Sequence, residues 1–380
     1  MNMNNKKILE ELSRTRGLSK GTIKQYRFVI QTYSTINQMT MKELIKEAET
    51  EKDQGIRLKH SRLRERLLEF RTYLNEKYAG QTARNYMTRI LTVYKHYDVE
   101  IPQLPQLRSK NLKDTPPINY SDLPTHEVIK KALKIANPLM RAVILFMSSS
   151  GCAMRETINL TIDDFIEATT EYHQEDTIYG VLKELDKRDD VIPVFRLRRQ
   201  KTNKHYTTFC SPEATTEIVN NLLSINKKLK RKDKLFQYGD RYMSYKFKDI
   251  NDQLGLGRKG GRSLFRAHML RKFHASQLYN DGVAMDIVDS LQGRGKDSTH
   301  SSYFMEDPNK LKQIYIKHMN VLTINLDVNH LNYTSKEYID LQEKYQYEQK
   351  KNEYNNERLA RLESLLEYAP EGLLEKIRKQ

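Results

Sequence analysis

The chain has 380 residues, and 30% of them are charged. The mean hydropathy of -0.76 and the longest apolar run, AVILFM at 142–147, exclude a membrane-spanning helix, which needs about 20 apolar residues. The 65 Lys and Arg residues against 49 Asp and Glu give a net charge of +16, and so basic a chain attracts polyanions through counterion release. Nucleic acid is therefore the first partner to consider. The polar N-terminus MNMNNKK and the two unpaired-looking cysteines predict a cytoplasmic protein.

The first hundred residues predict helices only. From Lys6 to about Pro102, apolar residues recur every three or four positions, and no alternating segment occurs. The helix that follows Ser19 has an apolar stripe on one face and three basic residues on another, namely Lys20, Lys24 and Arg27. A second helix, around QTARNYMTRILTVYKHY, presents Arg84 outward. Binding to nucleic acid and simple solvation both explain such basic faces.

Proline marks the end of this helical region. Four prolines between positions 102 and 117 frame the polar stretch RSKNLKD, which predicts a linker. Beyond it the pattern is mixed. An apolar helix around PLMRAVILFM precedes two alternating segments on either side of KTNK, and these predict a β-hairpin over 190–210. Helical patterns return at His268 and again after Pro308.

The last stretch of the chain repeats apolar residues at heptad spacing over 338–366. Residues 335–380 contain nine basic and ten acidic residues, so this tail does not carry the positive charge of the protein. A short coiled coil and a solvated single helix both agree with the polar middle of the repeat.

Several enzyme classes lack their motifs in this sequence. There is no GxxxxGK[ST] loop, no CxxC pair, no HExxH helix and no GxSxG elbow. Asp163 and Asp164 lack the further carboxylates that a two-metal site needs. We therefore expect neither a metal nor a nucleotide cofactor.

Basic and hydroxyl residues follow a distinctive order between positions 150 and 303. SSSGCAMRETINL is a glycine turn that leads into a helix with Arg and Glu, and Lys201 follows in the hairpin turn. HMLR then places His268 and Arg271 on one helical face. The last motif, LQGRGKDSTHSSYF, contains Arg294 and, nine residues later, Tyr303. This order resembles the tyrosine recombinase (phage integrase) family, and the resemblance covers residues 5 to about 320.

The resemblance implies an active site that cleaves a DNA phosphodiester. The residues that match the family's motif are Arg155, Lys201, His268, Arg271, Arg294 and Tyr303. Guanidinium groups would bind the phosphate oxygens bidentately, and an imidazole would exchange a proton near neutral pH. The Lys would protonate the departing 5′ oxygen while the Tyr attacks phosphorus. Such a site requires no metal.

Two positions depart from the family's motif. The family's first Arg lies two residues after the Gly, where this chain has Ala153, so Arg155 is displaced by two positions. Arg294 stands where the family has His or Trp, and it can still donate to a phosphate. Its alternative role is that of a cation at the C-terminal end of a helix. Lys204, further around the same hairpin turn, is the alternative to Lys201.

The resemblance also implies the fold. We expect an α+β protein with an all-α core-binding domain at 1–103, a linker at 104–118, a mixed α/β breaking-rejoining catalytic domain at 119–330 and a helical or coiled-coil tail at 331–380. Both domains would contact double-stranded DNA. Four basic residues of GRKGGRSLFRAH would join the N-terminal ones on backbone phosphates, namely Arg258, Lys259, Arg262 and Arg266.

The implied function is site-specific DNA recombination of the integrase or excisionase type, as in a mobile element, by a homotetramer assembled on DNA. Three alternatives stay open. They are a DNA-relaxing enzyme like the type IB topoisomerases, a DNA-binding protein that has lost catalysis, which only the displaced Arg155 supports, and an interaction protein built around the 338–366 heptads.

Overall fold

The computed structural model describes residues 3–106, 116–199, 203–225, 228–294 and 307–324. The chain forms two compact units, Met1–Pro117 and Ile118–Gln380. Most of the predicted linker, the residues Lys201 and Tyr303, and the heptad tail lie outside the described residues. Within the described ranges, no helix has both the length and the apolar character needed to cross a bilayer.

The described part of the first unit is helical, as predicted. Its α-helices are α1 (Met3–Arg16), α2 (Lys20–Ile36), α3 (Met41–Asp53), α4 (Arg62–Lys77) and α5 (Gly80–His96). Side-chain oxygens that accept a hydrogen bond from a backbone N–H of the first turn start three of them: Ser19 for α2, Thr40 for α3 and Ser61 for α4. Such caps satisfy backbone donors that the helix itself leaves unpaired, which explains why the helices begin at these residues.

Aromatic residues form the centre of the first unit. Tyr33 and Tyr94 are fully buried, and their hydroxyl oxygens lie 3.1 Å apart. The Phe70 ring packs edge-on against Tyr33 at a centroid distance of 4.9 Å. The apolar stripe predicted for α2 is therefore confirmed. The predicted basic side chains, Lys20, Lys24, Arg27 and Arg84, are all exposed.

The described part of the second unit mixes helices with two small antiparallel sheets, which confirms the α+β fold. Its elements in chain order are α6 (His126–Ile135), α7 (Pro138–Ser150), α8 (Met154–Asn159), α9 (Ile162–Ala168), α10 (Ile178–Leu185), β1 (Val194–Arg199), β2 (Lys204–Phe209), α11 (Pro212–Leu223), α12 (Asp240–Gln253), β3 (Arg258–Lys259), β4 (Arg262–Ser263), α13 (Ala267–Asn280), α14 (Met285–Leu291) and α15 (Pro308–His318).

Helix α7 is the centre of the second unit. Every residue of α7 from Leu139 to Ser150 except Arg141 is buried, and the helix packs mainly against α11 and α13. A helix that is apolar on all faces belongs in a protein interior, because no side of it gains from contact with water. Arg141, the exception, forms an ion pair with Glu217 of α11 at 2.9 Å. The last residues of α7, Ser148 to Ser150, are fully buried, so the helix ends in the interior of the unit.

The predicted hairpin is present as β1 and β2. The strands pair antiparallel from Val194 opposite Phe209 to Arg199 opposite Lys204. Burial alternates along β1: Phe195 and Leu197 are buried, whereas Arg196 and Arg198 are exposed. Since successive side chains of a strand point to opposite faces, Arg199 shares the inward face with Phe195 and Leu197.

A second hairpin, β3 and β4, lies within GRKGGRSLFRAH, where the sequence analysis predicted phosphate contacts but no strands. Gly260 and Gly261 form its turn with φ values of +57° and +74°, which residues other than glycine rarely adopt. A turn of two residues joins the two strands, and each strand has only two residues. Strands this short show no alternation of apolar and polar residues in the sequence. In this hairpin, Lys259 forms an ion pair with Asp122 at 2.5 Å.

Candidate active site

A glycine turn at the end of α7 opens the site. Gly151 has φ +66°, and its N–H bonds to the carbonyl oxygen of Met147, which ends the helix in a left-handed residue. A Cβ at this position would lie 2.6 Å from Nδ1 of His274 and 2.9 Å from Nε2 of Gln292. Glycine is required here for its conformation and for this close contact. As a result, the Gly151 carbonyl points at neighbouring side chains instead of continuing the helix.

Helix α13 supplies the HxxR residues. His268 is exposed near the start of the helix, Arg271 is only 5% exposed one turn later, and His274 is fully buried after a further turn. Spacings of three residues place all three on one side of the helix. The helix thus leads from the surface of the unit into its interior, with an imidazole at each end of the row and a guanidinium between them.

Arg271 binds main-chain carbonyls of two segments that are distant along the chain. Its Nη1 donates to the Gly151 carbonyl at 2.6 Å, and its Nη2 donates to the Gln292 carbonyl at 2.7 Å. Among the described residues, no carboxylate forms an ion pair with this guanidinium. Burial and the nearby positive charges of Arg199 and Arg294 lower the pKa of Arg271. An isolated buried cation is unfavourable, so an anion bound beside it would be stabilised.

The Gln292 side chain connects Arg271 to His274. It is fully buried, and its Nε2 donates to the Arg271 carbonyl at 2.9 Å and to Nδ1 of His274 at 3.0 Å. Because Nδ1 of His274 accepts this bond, the neutral ring carries its proton on Nε2. Burial, followed by the charges of Arg271 and Arg294, lowers the pKa of His274 to about 3. His274 is therefore a structural residue.

The turn after α14 carries Arg294. Gly293 has φ +59°, and a Cβ on it would come within 2.5 Å of the Tyr206 ring. This packing positions Arg294 directly after the turn, where its Nη1 lies 3.1 Å from Oδ1 of Asp289. Its charge lowers the pKa values of His268, Arg271 and His274. Arg294 consequently lies close enough to the HxxR residues to act with them, and it is also the cation that follows a helix end.

The hairpin brings two side chains that the sequence reasoning did not assign. Arg199 donates from Nη1 to the Gly293 carbonyl at 2.8 Å. Tyr206 lies 3.6 Å from Sγ of Cys152 through its hydroxyl, and burial raises the pKa of both groups, that of Cys152 to about 11. The alternation along β1 already contained the signal for Arg199, because it shares a face with two core residues. The sequence carries no comparable signal for the contacts of Gln292.

The remaining predicted residues are Arg155 on α8, the two lysines of the hairpin turn, and Tyr303. Arg155 is exposed on α8 and, among the described residues, makes no hydrogen bond or ion pair with the groups around Arg271. Lys204, the alternative to Lys201, faces the same side of the hairpin as Arg199, directly opposite it. Lys201 and Tyr303 lie outside the described residues. The structure thus brings His268, Arg271 and Arg294 together and leaves Arg155 apart from them.

The electrostatic surroundings of His268 favour its neutral form. Partial desolvation, followed by the positive charges of Lys272, Arg266, Arg271 and Arg294, lowers its pKa. An imidazole whose pKa lies below the ordinary value of about 6.5 is unprotonated at neutral pH, so it can accept a proton. This side chain is suited to proton exchange with a group that reacts beside Arg271.

The predicted phosphate contacts of the second hairpin differ in their surroundings. Arg258 and Arg262 are exposed, and Arg258 lies 3.6 Å from a carboxylate oxygen of Asp252. Arg266 is half-buried and donates to the Ser263 carbonyl. Two of the four cations, Arg258 and Lys259, therefore already have a carboxylate partner.

Within the described ranges, no group of three or more His, Cys, Asp or Glu side chains could hold a metal ion.

Comparison with known proteins finds a family model and solved structures that resemble the chain. The model of the phage integrase family matches residues 124–310. The solved structures that resemble the chain include XerH site-specific recombinase in a post-cleavage complex with a palindromic difH substrate, at 16% identity over 81% of this chain and 83% of that chain, with a TM-score of 0.50. Another is the Tn1549 transposon integrase in complex with a circular intermediate DNA, at 12% identity over 83% of this chain and 99% of that chain, with a TM-score of 0.48.

A search of curated proteins gave no match. The family model spans the segment that runs from α6 into α15, and this segment contains the glycine turn, the hairpin, the HxxR helix and the Gly293 turn. The XerH likeness supports the same fold independently. Residues 124–310 thus form a domain of the phage integrase family of tyrosine-type DNA recombinases.

Proposed function

We propose that the chain is a site-specific DNA recombinase of the integrase or excisionase type, which cleaves and rejoins strands through a 3′-phosphotyrosyl intermediate on Tyr303. The observation that carries this proposal is Arg271, a buried guanidinium held by two main-chain carbonyls, with no carboxylate partner among the described residues and with His268 one turn away. Such a group suits an anion that gains charge during a reaction, because the protein does not neutralise it beforehand.

In the proposed reaction, the oxygen of Tyr303 attacks the scissile phosphorus. The bond between phosphorus and the 5′ oxygen breaks, and phosphorus stays attached to the 3′ oxygen of the cleaved strand. His268, neutral near pH 7, accepts the phenol proton, and Lys201 donates a proton to the departing 5′ oxygen. Arg271 and Arg294 bind the non-bridging oxygens in the pentavalent state. The reverse steps, with the 5′ hydroxyl of another strand, complete the exchange.

DNA is the proposed partner of both units. The net charge of +16 and the exposed cations of α2, α5 and the β3–β4 hairpin support this, as do the DNA complexes of XerH recombinase and Tn1549 integrase. Strand exchange requires more than one active site, so we propose a homotetramer on DNA, with the 338–366 heptads as a protein–protein contact. The cytoplasmic location predicted from the sequence belongs to the same proposal.

A nicked suicide substrate tests this function directly. Nicked duplexes that tile the DNA flanking the gene are incubated with the protein in EDTA, and covalent adducts are recovered after denaturation. We expect an adduct through a 3′ phosphate, with a free 5′ hydroxyl on the other fragment. Tyr303→Phe removes only the nucleophilic oxygen, so it should abolish the adduct and retain DNA binding. The matched control is Tyr245→Phe, since Tyr245 is exposed on α12, outside the site.

Each alternative has its own outcome in this assay. An adduct that persists in Tyr303→Phe would place the nucleophile elsewhere. Binding without any adduct would favour a DNA-binding protein that has lost catalysis. An adduct accompanied by relaxation of a supercoiled plasmid, with no strand exchange between two duplexes, would favour the topoisomerase-like alternative.

A further inference from the structure

Arg199 occupies the inward face of the β1–β2 hairpin, where the chain approaches the HxxR residues. It follows Phe195 and Leu197 on that face, and Lys204 lies opposite it on β2. The neighbouring Arg198 points to the other face and donates to Oδ1 of Asn203 in the hairpin turn at 2.8 Å. Two adjacent arginines of the same strand thus have opposite surroundings, one at the site and one in solvent.

Arg199 and Arg271 bind consecutive peptide units. Arg271 donates to the carbonyl of Gln292 at 2.7 Å, and Arg199 donates to the carbonyl of Gly293 at 2.8 Å. Consecutive Cα atoms are about 3.8 Å apart, so these two carbonyls hold the guanidinium groups near each other. In agreement with this placement, the positive charge of Arg199 lowers the pKa of Arg271 more than any other neighbouring charge does.

The two guanidinium groups share a lack of neutralisation. Among the described residues, neither Arg199 nor Arg271 forms an ion pair with a carboxylate, whereas Arg294 pairs with Asp289. Two like charges held together in a half-buried place repel each other, and an anion placed between them removes that repulsion. A planar guanidinium that uses one nitrogen on a main-chain carbonyl still has donors for a phosphate oxygen.

Arg155 does not supply this second guanidinium. Within α8, Glu156 faces the site: its charge raises the pKa values of Cys152 and Tyr206, and its Oε2 is buried. Successive residues of a helix lie about 100° apart around the axis, so Arg155 points away from that face and is exposed. Ala153, at the position where the resemblance places the family's first Arg, has no charged group.

We propose that Arg199 is the second phosphate-binding arginine of the active site and, with Arg271, holds the non-bridging oxygens of the scissile phosphate in place of an arginine after the glycine turn. This inference rests on the proposed function. The guanidinium comes from the hairpin, not from α8, and binds the same phosphate as Arg271. Arg199 forms and breaks no covalent bond in this reaction. Its N–H donors stabilise the negative charge that accumulates on the phosphate oxygens in the pentavalent state.

The test compares single-turnover adduct formation by four full-length variants on the nicked duplex that the wild type cleaves. Arg199→Ala should slow cleavage by about a hundredfold or more, with DNA affinity changed by no more than a few-fold. Arg199→Lys keeps the charge but loses the planar fork, so it should be slowed less. Arg198→Ala, the matched control on the other face of the strand, should cleave at the wild-type rate. Arg155→Ala tests the alternative arginine directly.

A second substrate separates a phosphate contact from a structural role. It carries a methylphosphonate at the scissile position, which replaces one charged oxygen with a methyl group. The deficits of Arg199→Ala and Arg199→Lys should shrink to less than about tenfold on this substrate, because less charge needs stabilising. If Arg199 only positioned the Gly293 turn, the deficit would be equal on both substrates, and the inference would be wrong. If Arg199→Ala does not fold, Arg199→Lys carries the comparison.

Two further results would be decisive. Wild-type cleavage by Arg199→Ala, together with loss of cleavage in Arg155→Ala, would assign the contact to Arg155 and leave the proposed function intact. Absence of any adduct with the wild-type protein would instead remove the proposed function, and the role of Arg199 with it.

Discussion

Replacing Gly151 with Ala should destabilise the second unit strongly. The φ of +66° costs a residue with a Cβ about 1–2 kcal/mol. The new methyl group would lie 2.6 Å from Nδ1 of His274, and both His274 and Gln292 are fully buried, so they must shift to accommodate it. Overpacking of this kind typically costs about 1–3 kcal/mol. The free energy of unfolding should therefore fall by about 2–5 kcal/mol in total.

The two cysteines provide an assay specific to this unit. Cys152 and Cys210 are the only cysteines of the chain, and both are fully buried in the second unit. Burial raises their pKa values to about 11 and about 12, which keeps the thiols unreactive until the unit unfolds. Pulsed alkylation across a urea gradient, with the Cys210 peptide quantified by mass spectrometry, reports the unfolding of this unit and is blind to the first.

Gly255→Ala is the matched control. Gly255 follows α12 in the same unit and has φ +62°, but nothing lies within 4 Å of the position its Cβ would take. It should therefore lose only the conformational part, about 1–2 kcal/mol. If Gly151→Ala and Gly255→Ala are destabilised equally, His274 and Gln292 do not pack against the glycine turn, and the described arrangement around Arg271 is wrong.

Three further predictions concern pH, salt and assembly. Because the folded pKa of His274 is about 3 and the unfolded one is about 6.5, the unfolded chain takes up a proton below pH 6.5 that the folded one does not, so stability falls as pH falls. This amounts to about 2 kcal/mol between pH 6.5 and pH 5, and His274→Gln should remove it from the urea midpoints measured at the two pH values. DNA affinity should decrease about a thousandfold between low and moderate salt, with a slope of log K against log salt of about -0.9 per phosphate contact, and a salt-independent affinity would contradict DNA binding. Deletion from Ser335 onward should reduce assembly on DNA in sedimentation experiments while adduct formation continues, and unchanged assembly would count against a contact through the 338–366 heptads.

Local patterns in the sequence were sufficient to predict several elements of the fold. The stripe of α2, the alternation of β1 and the HxxR spacing of α13 depend on which face each side chain takes, and periodicity determines that within one element. The glycine turns at Gly151 and Gly293 were also predictable, because left-handed backbone favours glycine. The β3–β4 hairpin was missed since strands of two residues are too short to show a period.

The partners of the active-site residues could be known only from the tertiary structure. Arg271 binds carbonyls 120 and 21 residues away, and Arg199 binds one 94 residues away. No local pattern specifies which main-chain oxygen of a distant segment a side chain will meet, since that follows from how α7, α13 and the hairpin pack together. For the same reason the motif order in the sequence pointed to Arg155, which lies nearest the glycine turn along the chain. The packing of the hairpin instead places Arg199 beside Arg271, because strand alternation turns it toward the site while the helical rotation of α8 turns Arg155 away.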